Sequence, residues 1–457
     1  MEDKTRQLGE ARLSPLLWRF SIPAIIPMMA SSLYTLIDRL FVGNIVGADA
    51  IAGMSVTMPL SFIIMAFGTL VGIGTGALVS IRLGEGKKEE AEKLLGNALT
   101  LFLVISVLVS GTCLVFLDPL LAHFGASPQI IPYAKQFIGI ILWGSFFQYI
   151  SFGLGSIIRS EGSPRIAMMT QLINAGMNII LDFAFIYLFH WGLQGTAVAT
   201  VISQAISSIW VLWHFSGPRS VLKLRFRNLP LRFDLVKGIF AIGMAPFFMQ
   251  LSASVVSILF NQGLGRYGGD SAIGAFGIIG TLAMFTIMPI FGINQGVQPI
   301  IGYNYGAGRF DRVKKALWLT IIAATAIVTV GFIAMQLFPA TMLRAFTSDP
   351  KLIEIGVPGM RLYLLMLPIV GFQIVSANFF QAIGKAGKSM VMSLMRQIIV
   401  LIPMLFLLPP LFKINGVWCA GPISDFIASI VTFAFLWVEL RSLGEKHRES
   451  LPIPASV

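Results

Sequence analysis

Charge is scarce in this sequence. Asp, Glu, Lys and Arg occupy 12% of 457 positions, about half their share in soluble domains. That excludes a solvated globular surface for most of the chain. Cysteine is nearly absent: Cys113 and Cys419 both fall inside apolar stretches, so neither a disulfide framework nor a thiolate metal site is implied. His123, His190, His214 and His447 are scattered without metal-ligand spacing. Short segments of alternating hydrophobicity are missing, which excludes a membrane β-barrel. Residues 384–389 imitate the end of a phosphate loop, but Ala382 stands where the first Gly is needed and no strand precedes it.

What the chain has instead is apolar length. Apolar residues make up 56% of it and mean hydropathy is +0.82. Runs of about 20 residues, each able to cross a bilayer as a helix, fall at 15–41, 51–80, 94–117, 132–158, 165–189, 193–215, 236–263, 272–304, 314–338, 353–381, 388–411 and 416–440. If the N-terminus is cytoplasmic, 24 of the 33 Lys and Arg lie in cytoplasmic segments and six on the opposite side. Cytoplasmic retention of positive charge therefore puts both termini inside. The net charge of +12 is spread over short loops on one face, a poor footprint for nucleic acid. The first apolar run is too long for a secretory signal core and has no small-residue cleavage site, so it reads as the first span.

Self-comparison reveals a duplication. Gly74, Gly84-x-Gly86 and Gly162 recur as Gly296, Gly306-x-Gly308 and Gly384, all 222 residues later. Ala50-Ile51 matches Ala272-Ile273 at 222, Gly195 matches Gly416 at 221, and Pro23 matches Pro246 at 223. Six spans per repeat give both halves the same orientation. The expected fold is an all-α integral membrane protein of twelve transmembrane helices, in two pseudosymmetric six-helix lobes around a central cleft. Residues 1–215 form the N-lobe, 216–235 a basic cytoplasmic linker, 236–441 the C-lobe and 442–457 a cytoplasmic tail. The bland alternative is that duplication merely built a large bundle.

Intramembrane carboxylates are costly and mark function. The candidates are Asp38, Asp182 and Asp425. Gln171, Asn174, Asn178 and Asp182 are spaced 3, 4 and 4 apart, which makes one polar helix face. A rise of about 1.5 Å per residue puts Asn178 roughly 20 Å and Asp182 roughly 26 Å from the cytoplasmic entry, level with Thr200 on the next span. Asp38 lies about 34 Å along the first span. Four oxygen-bearing side chains can therefore meet in the outer half of the N-lobe. Close carboxylates in low dielectric resist joint ionisation, so one takes a proton; alternatively the oxygens hold Na⁺. The competing readings are a helix-packing hydrogen bond for Asp182 and an interfacial position beside Arg39 for Asp38.

The C-lobe lacks the set: Asp38 corresponds to Asn261, and Asp182 to an apolar position near Leu405. Arg396 and Asp425 reach similar depth on spans eleven and twelve, which suits a structural ion pair better than a substrate or gating contact. Gln171 and Asn174 of the stripe, with Gln250, Asn294, Gln295 and Gln298, are candidate substrate-cavity groups; for Gln250, Asn294, Gln295 and Gln298 interhelical hydrogen bonding is the alternative.

These residues resemble a known family. Ile37-Asp38-Arg39-Leu40-Phe41-Val42-Gly43-Asn44, Asn178-Ile179-Ile180-Leu181-Asp182 and Gly195-Thr196-Ala197-Val198-Ala199-Thr200 look like first-, fifth- and sixth-helix motifs of the MATE (multidrug and toxic compound extrusion) transporters. Pro-Ile-Ser-Asp at 422–425 and Met395-Arg396-Gln397 resemble its bacterial MepA-like branch. The resemblance implies a bacterial cytoplasmic-membrane antiporter that exports bulky, often cationic small molecules in exchange for H⁺ or Na⁺, with no cofactor. It implies that Asp38, Asn178, Asp182 and Thr200 form the N-lobe cation site and that Pro23 marks the first-helix bend. The expected partners are drugs or organic cations and membrane lipids, with the chain a monomer. A lipid-linked oligosaccharide flippase of the wider superfamily is the alternative, but it favours a basic cavity, whereas the basic residues here are mostly in loops. A membrane enzyme lacks a catalytic set, and a channel fits two pseudosymmetric lobes less well than alternating access.

Overall fold

The computed structural model describes residues 3–45, 53–54, 56–124, 128–346 and 350–449. Among them the chain is helical, with no strand. In the first half, α1 (Asp3–Glu10), α2 (Leu13–Ile45), α3 (Met58–Gly84), α4 (Lys88–Val115) and α5 (Leu117–His123) come first. Then α6 (Ile131–Tyr149) passes through a π turn into α7 (Gly155–Ser160), and α8 (Pro164–Asp182) runs into a π segment, Phe183–Leu188, before α9 (Gly192–Ser216). The second half comprises α10 (Phe233–Gly306), α11 (Phe310–Leu337), α12 (Pro339–Arg344), α13 (Pro350–Tyr363), α14 (Leu367–Ala382), α15 (Ala386–Leu394), a π segment at Met395–Leu401, and α16 (Ile402–Glu449).

Among the described residues, ten helices are long and apolar enough to cross a membrane, or eleven if α13 and α14, bent by 49°, form one broken span. The 74 residues of α10 are broken at Gly269 (φ 70°, ψ −169°), a conformation essentially reserved for glycine. The two pieces, Phe233–Gly269 and Ser271–Gly306, each suffice for one crossing. The last candidate, Ala386–Leu443, has 58 residues, about 87 Å of straight helix. It is interrupted at Lys413 (φ 52°, ψ −131°), where two helices meet across a kink. Helix α2 runs unbroken through Pro23 and Pro27, although each proline removes a ladder hydrogen bond.

Two hydrophobic cores correspond to the two lobes, and each borrows helix from the other. Leu8, Leu16, Leu17 and Phe20 at the start of the chain belong to the C-lobe core. Reciprocally, Ile239, early in α10, belongs to the N-lobe core. Glycines make the crossing possible. A Cβ on Gly74 would sit 2.3 Å from the Ile239 carbonyl oxygen, and one on Gly296 2.7 Å from Ser21 Cα. Near the ends of α3 and α10 the contact is symmetric: a Cβ on Gly84 would fall 2.1 Å from the Tyr303 oxygen, and one on Gly306 2.2 Å from the Ile81 oxygen. These pairs include the glycines repeated at 222 in the sequence.

Two connections, α1 and the segment between the lobes, are each held by side chains of one lobe. The α1 backbone is held by the C-lobe, with Asn304 Nδ2 donating to the Leu8 oxygen at 2.8 Å and Arg309 Nη1 to the Gly9 oxygen at 2.6 Å. The linker between lobes is held by the N-lobe. Buried Glu161 accepts from His214 Nε2 (2.5 Å), Ser220 Oγ (2.6 Å) and the Val221 and Leu222 amides (2.9 and 3.2 Å). Asn97 Oδ1 accepts from the Arg232 amide at 2.8 Å, and Thr100 Oγ1 donates to the Leu229 oxygen at 2.7 Å. Each lobe thus clasps the segment that leads into the other.

Candidate functional site

Helix α8 carries the polar stripe because four residues at helical spacing share one face. Burial rises along it: Gln171 and Asn174 are half-buried, Asn178 is 2% exposed and Asp182 fully buried. The opposite face carries Ile180, 62% exposed, as a lipid-facing side requires. The stripe faces protein, where its polar groups can find partners.

Helices α2, α8 and α9 pack against one another around this stripe. Asn178 Nδ2 donates to Thr200 Oγ1 at 3.3 Å, and the Thr200 hydroxyl donates to the Thr196 carbonyl at 2.9 Å. Asp182 lies one turn beyond Asn178, immediately before the π segment. Asp38 lies on α2, the helix beside them, and its side chain falls outside the described residues. The structure therefore brings Asn178, Thr200 and their helices together.

Acceptor oxygens dominate the site. The side-chain oxygens of Asn174, Asn178 and Gln204 are buried with no hydrogen-bond partner among the described residues. Gln204, one turn along α9 from Thr200, escaped sequence reasoning. Its only signal is the i, i+4 spacing from Thr200, which a lone glutamine among Ile, Ser and Ala does not advertise. Buried carbonyl oxygens without donors are costly, and carbonyl, hydroxyl and carboxylate oxygens are the ligands hard cations take.

The other candidate cavity residues divide. Gln295 Nε2 lies 4.0 Å from Met28 Sδ, and Gln298 Nε2 donates to the Ile73 oxygen at 3.4 Å; both reach across to the N-lobe. Asn294 Nδ2 instead donates to the Ile374 oxygen at 3.4 Å, within the C-lobe. Gln250 is half-buried on α10.

The C-lobe equivalents differ as the repeat requires. Asn261 is exposed and Leu405 is buried in apolar surroundings. Arg396 Nε meets Asp425 Oδ1 at 2.6 Å, and Ser424 Oγ donates to the Arg396 carbonyl at 2.6 Å. Gln373 Nε2 donates to the Asp425 carbonyl and to Ser429 Oγ. One ion pair with its satellites ties three helices together.

The MatE family model matches residues 23–184 and again 246–407. The chain belongs to the MatE family. The double match, offset by 223 at both ends, is an independent statement of the duplication. Over 443 residues the chain is 27% identical to the multidrug export protein MepA of Staphylococcus haemolyticus (strain JCSC1435), covering 95% of this chain and 97% of that one. MepA of Staphylococcus aureus (strain MRSA252) is 25% identical over 438 residues, 95% of this chain and 96% of that one. Among solved structures, the MATE multidrug transporter DinF-BH in complex with R6G superposes with a TM-score of 0.88 at 38% identity, over 94% of this chain and 96% of that one. An outward-facing MATE family transporter of the MOP superfamily reaches 0.89 at 24% identity, over 96% and 98%, which speaks for the fold. This MatE chain is thus a multi-span transporter of a multidrug export family and not an enzyme.

Proposed function

We propose that this MatE protein is a secondary active exporter, moving organic and often cationic small molecules out of a bacterial cell in exchange for H⁺ or Na⁺. The basic end, which carries both termini, faces the cytoplasm, because 24 of 33 Lys and Arg gather there. The chain works as a monomer in the cytoplasmic membrane.

The observation that carries this reading is the buried Asp182, one helical turn from an Asn178 bonded to Thr200. A proton or Na⁺ among these oxygens neutralises Asp182. An organic cation and the coupling ion then compete for the same negative charge, which links their opposite movements. Glycine contacts join the lobes at the basic end, Gly84 against Tyr303 and Gly306 against Ile81. Export requires these contacts to part and re-form, and a ligand shifts that balance only by its differential affinity for the two shapes.

The test is dye efflux from proteoliposomes under an imposed H⁺ gradient and, separately, a Na⁺ gradient, with R6G as the first probe. Transport should follow one gradient and vanish in Asp182→Asn. Gradient-driven transport that survives Asp182→Asn would sink the coupling assignment.

A further inference from the structure

On the outer wall of the C-lobe, at its basic end, a groove of about 510 Å³ opens between α11, α14 and α16. Its walls are apolar and aromatic, formed by Trp318, Phe372, Phe433 and Trp437, with Arg441 at one end. Phe426, Ile430, Phe433 and Trp437 repeat at 4, 3 and 4 residues along α16, and all are at least half exposed. This is a membrane-facing stripe, and the groove interrupts it.

The mouth of the groove is cationic. The Arg441 guanidinium is stacked over Trp437, 4.8 Å from the ring centroid, which holds it at the rim. No carboxylate lies within ion-pair range of Arg441 among the described residues. Glu439 is buried and bound by Lys385 and Lys388, and exposed Glu445 lies one turn farther along α16. Lys314 and Lys315 precede Trp318 by four and three residues, placing them over the same face of α11 at its basic end. Two tryptophans at the level of the cations match the belt where a bilayer's interface begins.

We propose that this groove is a binding site for one anionic phospholipid of the leaflet at the basic end. An acyl chain lies along Phe372 and Phe433 between the two indoles, and the phosphodiester sits against Arg441 with Lys314 and Lys315 near. A zwitterionic headgroup brings no net charge to three cations, whereas an anionic one does. The inference needs only that the chain sits in a membrane; it is independent of the transported substrate and the coupling ion.

Tryptophan quenching by brominated phospholipids tests it. The protein is reconstituted in phosphatidylcholine vesicles containing a small fraction of brominated phosphatidylglycerol or, separately, brominated phosphatidylcholine with the same chains. The fluorescence of Trp318 and Trp437 is isolated by difference from Trp318→Phe and Trp437→Phe, both at exposed positions. Brominated phosphatidylglycerol should quench this component several-fold more effectively at equal mole fraction. Arg441→Gln should bring the two lipids level, and Arg441→Lys should keep part of the preference. Equal quenching in the unaltered protein, or an unchanged preference in Arg441→Gln, overturns the proposal. So does protection of these two indoles from both lipids, which would mean that a second copy covers the groove.

Discussion

The two lobes descend from one repeat yet treat polarity at the same level in opposite ways. At an offset of 222, Arg396 of the C-lobe falls on Asn174 of the N-lobe, and at 221 Asp425 falls on Gln204. The C-lobe positions form an ion pair at 2.6 Å. The N-lobe positions are neutral amides whose oxygens lack hydrogen-bond partners among the described residues. A cation entering the C-lobe must displace a guanidinium from its carboxylate. One entering the N-lobe meets oxygens with unused lone pairs beside the buried Asp182. Duplication gave a single scaffold two fates: one lobe pairs its charges, and the other keeps neutral amides at those positions.

The sharpest way to break this contrast is to neutralise each lobe in turn. Asp182→Asn should abolish gradient-driven efflux, a loss of at least about a hundredfold given the scale of electrostatic interactions in low dielectric. The paired replacement Arg396→Met with Asp425→Leu should leave a folded protein with efflux within about threefold of the original, because an apolar pair can substitute for a buried ion pair. If the C-lobe pair abolishes efflux while the protein stays folded, the lobes share the coupling task and the contrast fails.

Breaking the pair from one side should cost stability instead. Arg396→Gln strands the nearly buried Asp425 carboxylate and should destabilise by about 3 kcal/mol, at the low end for buried pairs because the guanidinium is partly exposed. Asn174→Ala, at the matching N-lobe position, removes an oxygen with no donor and should cost under about 1 kcal/mol. Thermal unfolding in detergent measures both, and equal costs would contradict the assignment. A smaller transport effect belongs to Asn178→Ala, which deletes one ligand oxygen and the 3.3 Å bond to Thr200. It should weaken the apparent affinity for the coupling ion about tenfold, the scale of a single hydrogen bond to a charged group, read from efflux against ion concentration.

The smallest effect tests the turn after α3. Glu85 lies between Arg82 (2.7 Å) and Lys87 (3.0 Å). Partial burial alone raises its pKa, but hydrogen bonds and charges from Arg82 and Lys87 outweigh that and hold it below the usual carboxylate value. Its stabilisation is therefore full above that usual value and is lost as pH falls through the lowered one. Glu85→Gln should remove this acid-side slope, at a cost of under about 1 kcal/mol for so exposed a group. Unfolding midpoints between about pH 3 and 6 measure it.

Much of the molecule is legible in its residues alone. Membrane class, most spans and the duplication follow from apolar length and glycine spacing. The stripe on α8 follows from helical periodicity. Gln204 is not legible, since a single glutamine has no period. Glu161 is equally silent, because in sequence it is one more acid in a polar loop. Only the fold turns the Ser220 hydroxyl and two amides of a linker some 60 residues away toward it.

Three properties are therefore written along the chain: that this protein crosses a membrane, that it does so as two copies of one plan, and that one copy holds a carboxylate among amides on a single helix face. They reside in composition and period, which act locally. Three others arise only when the helices pack. The first and seventh spans enter each other's lobe, Arg396 commits its charge to Asp425, and a groove on the C-lobe wall brings two indoles and the Arg441 guanidinium together. These depend on which surfaces meet. In a bilayer that choice rests on close packing and paired polar groups, and a list of residues does not contain it.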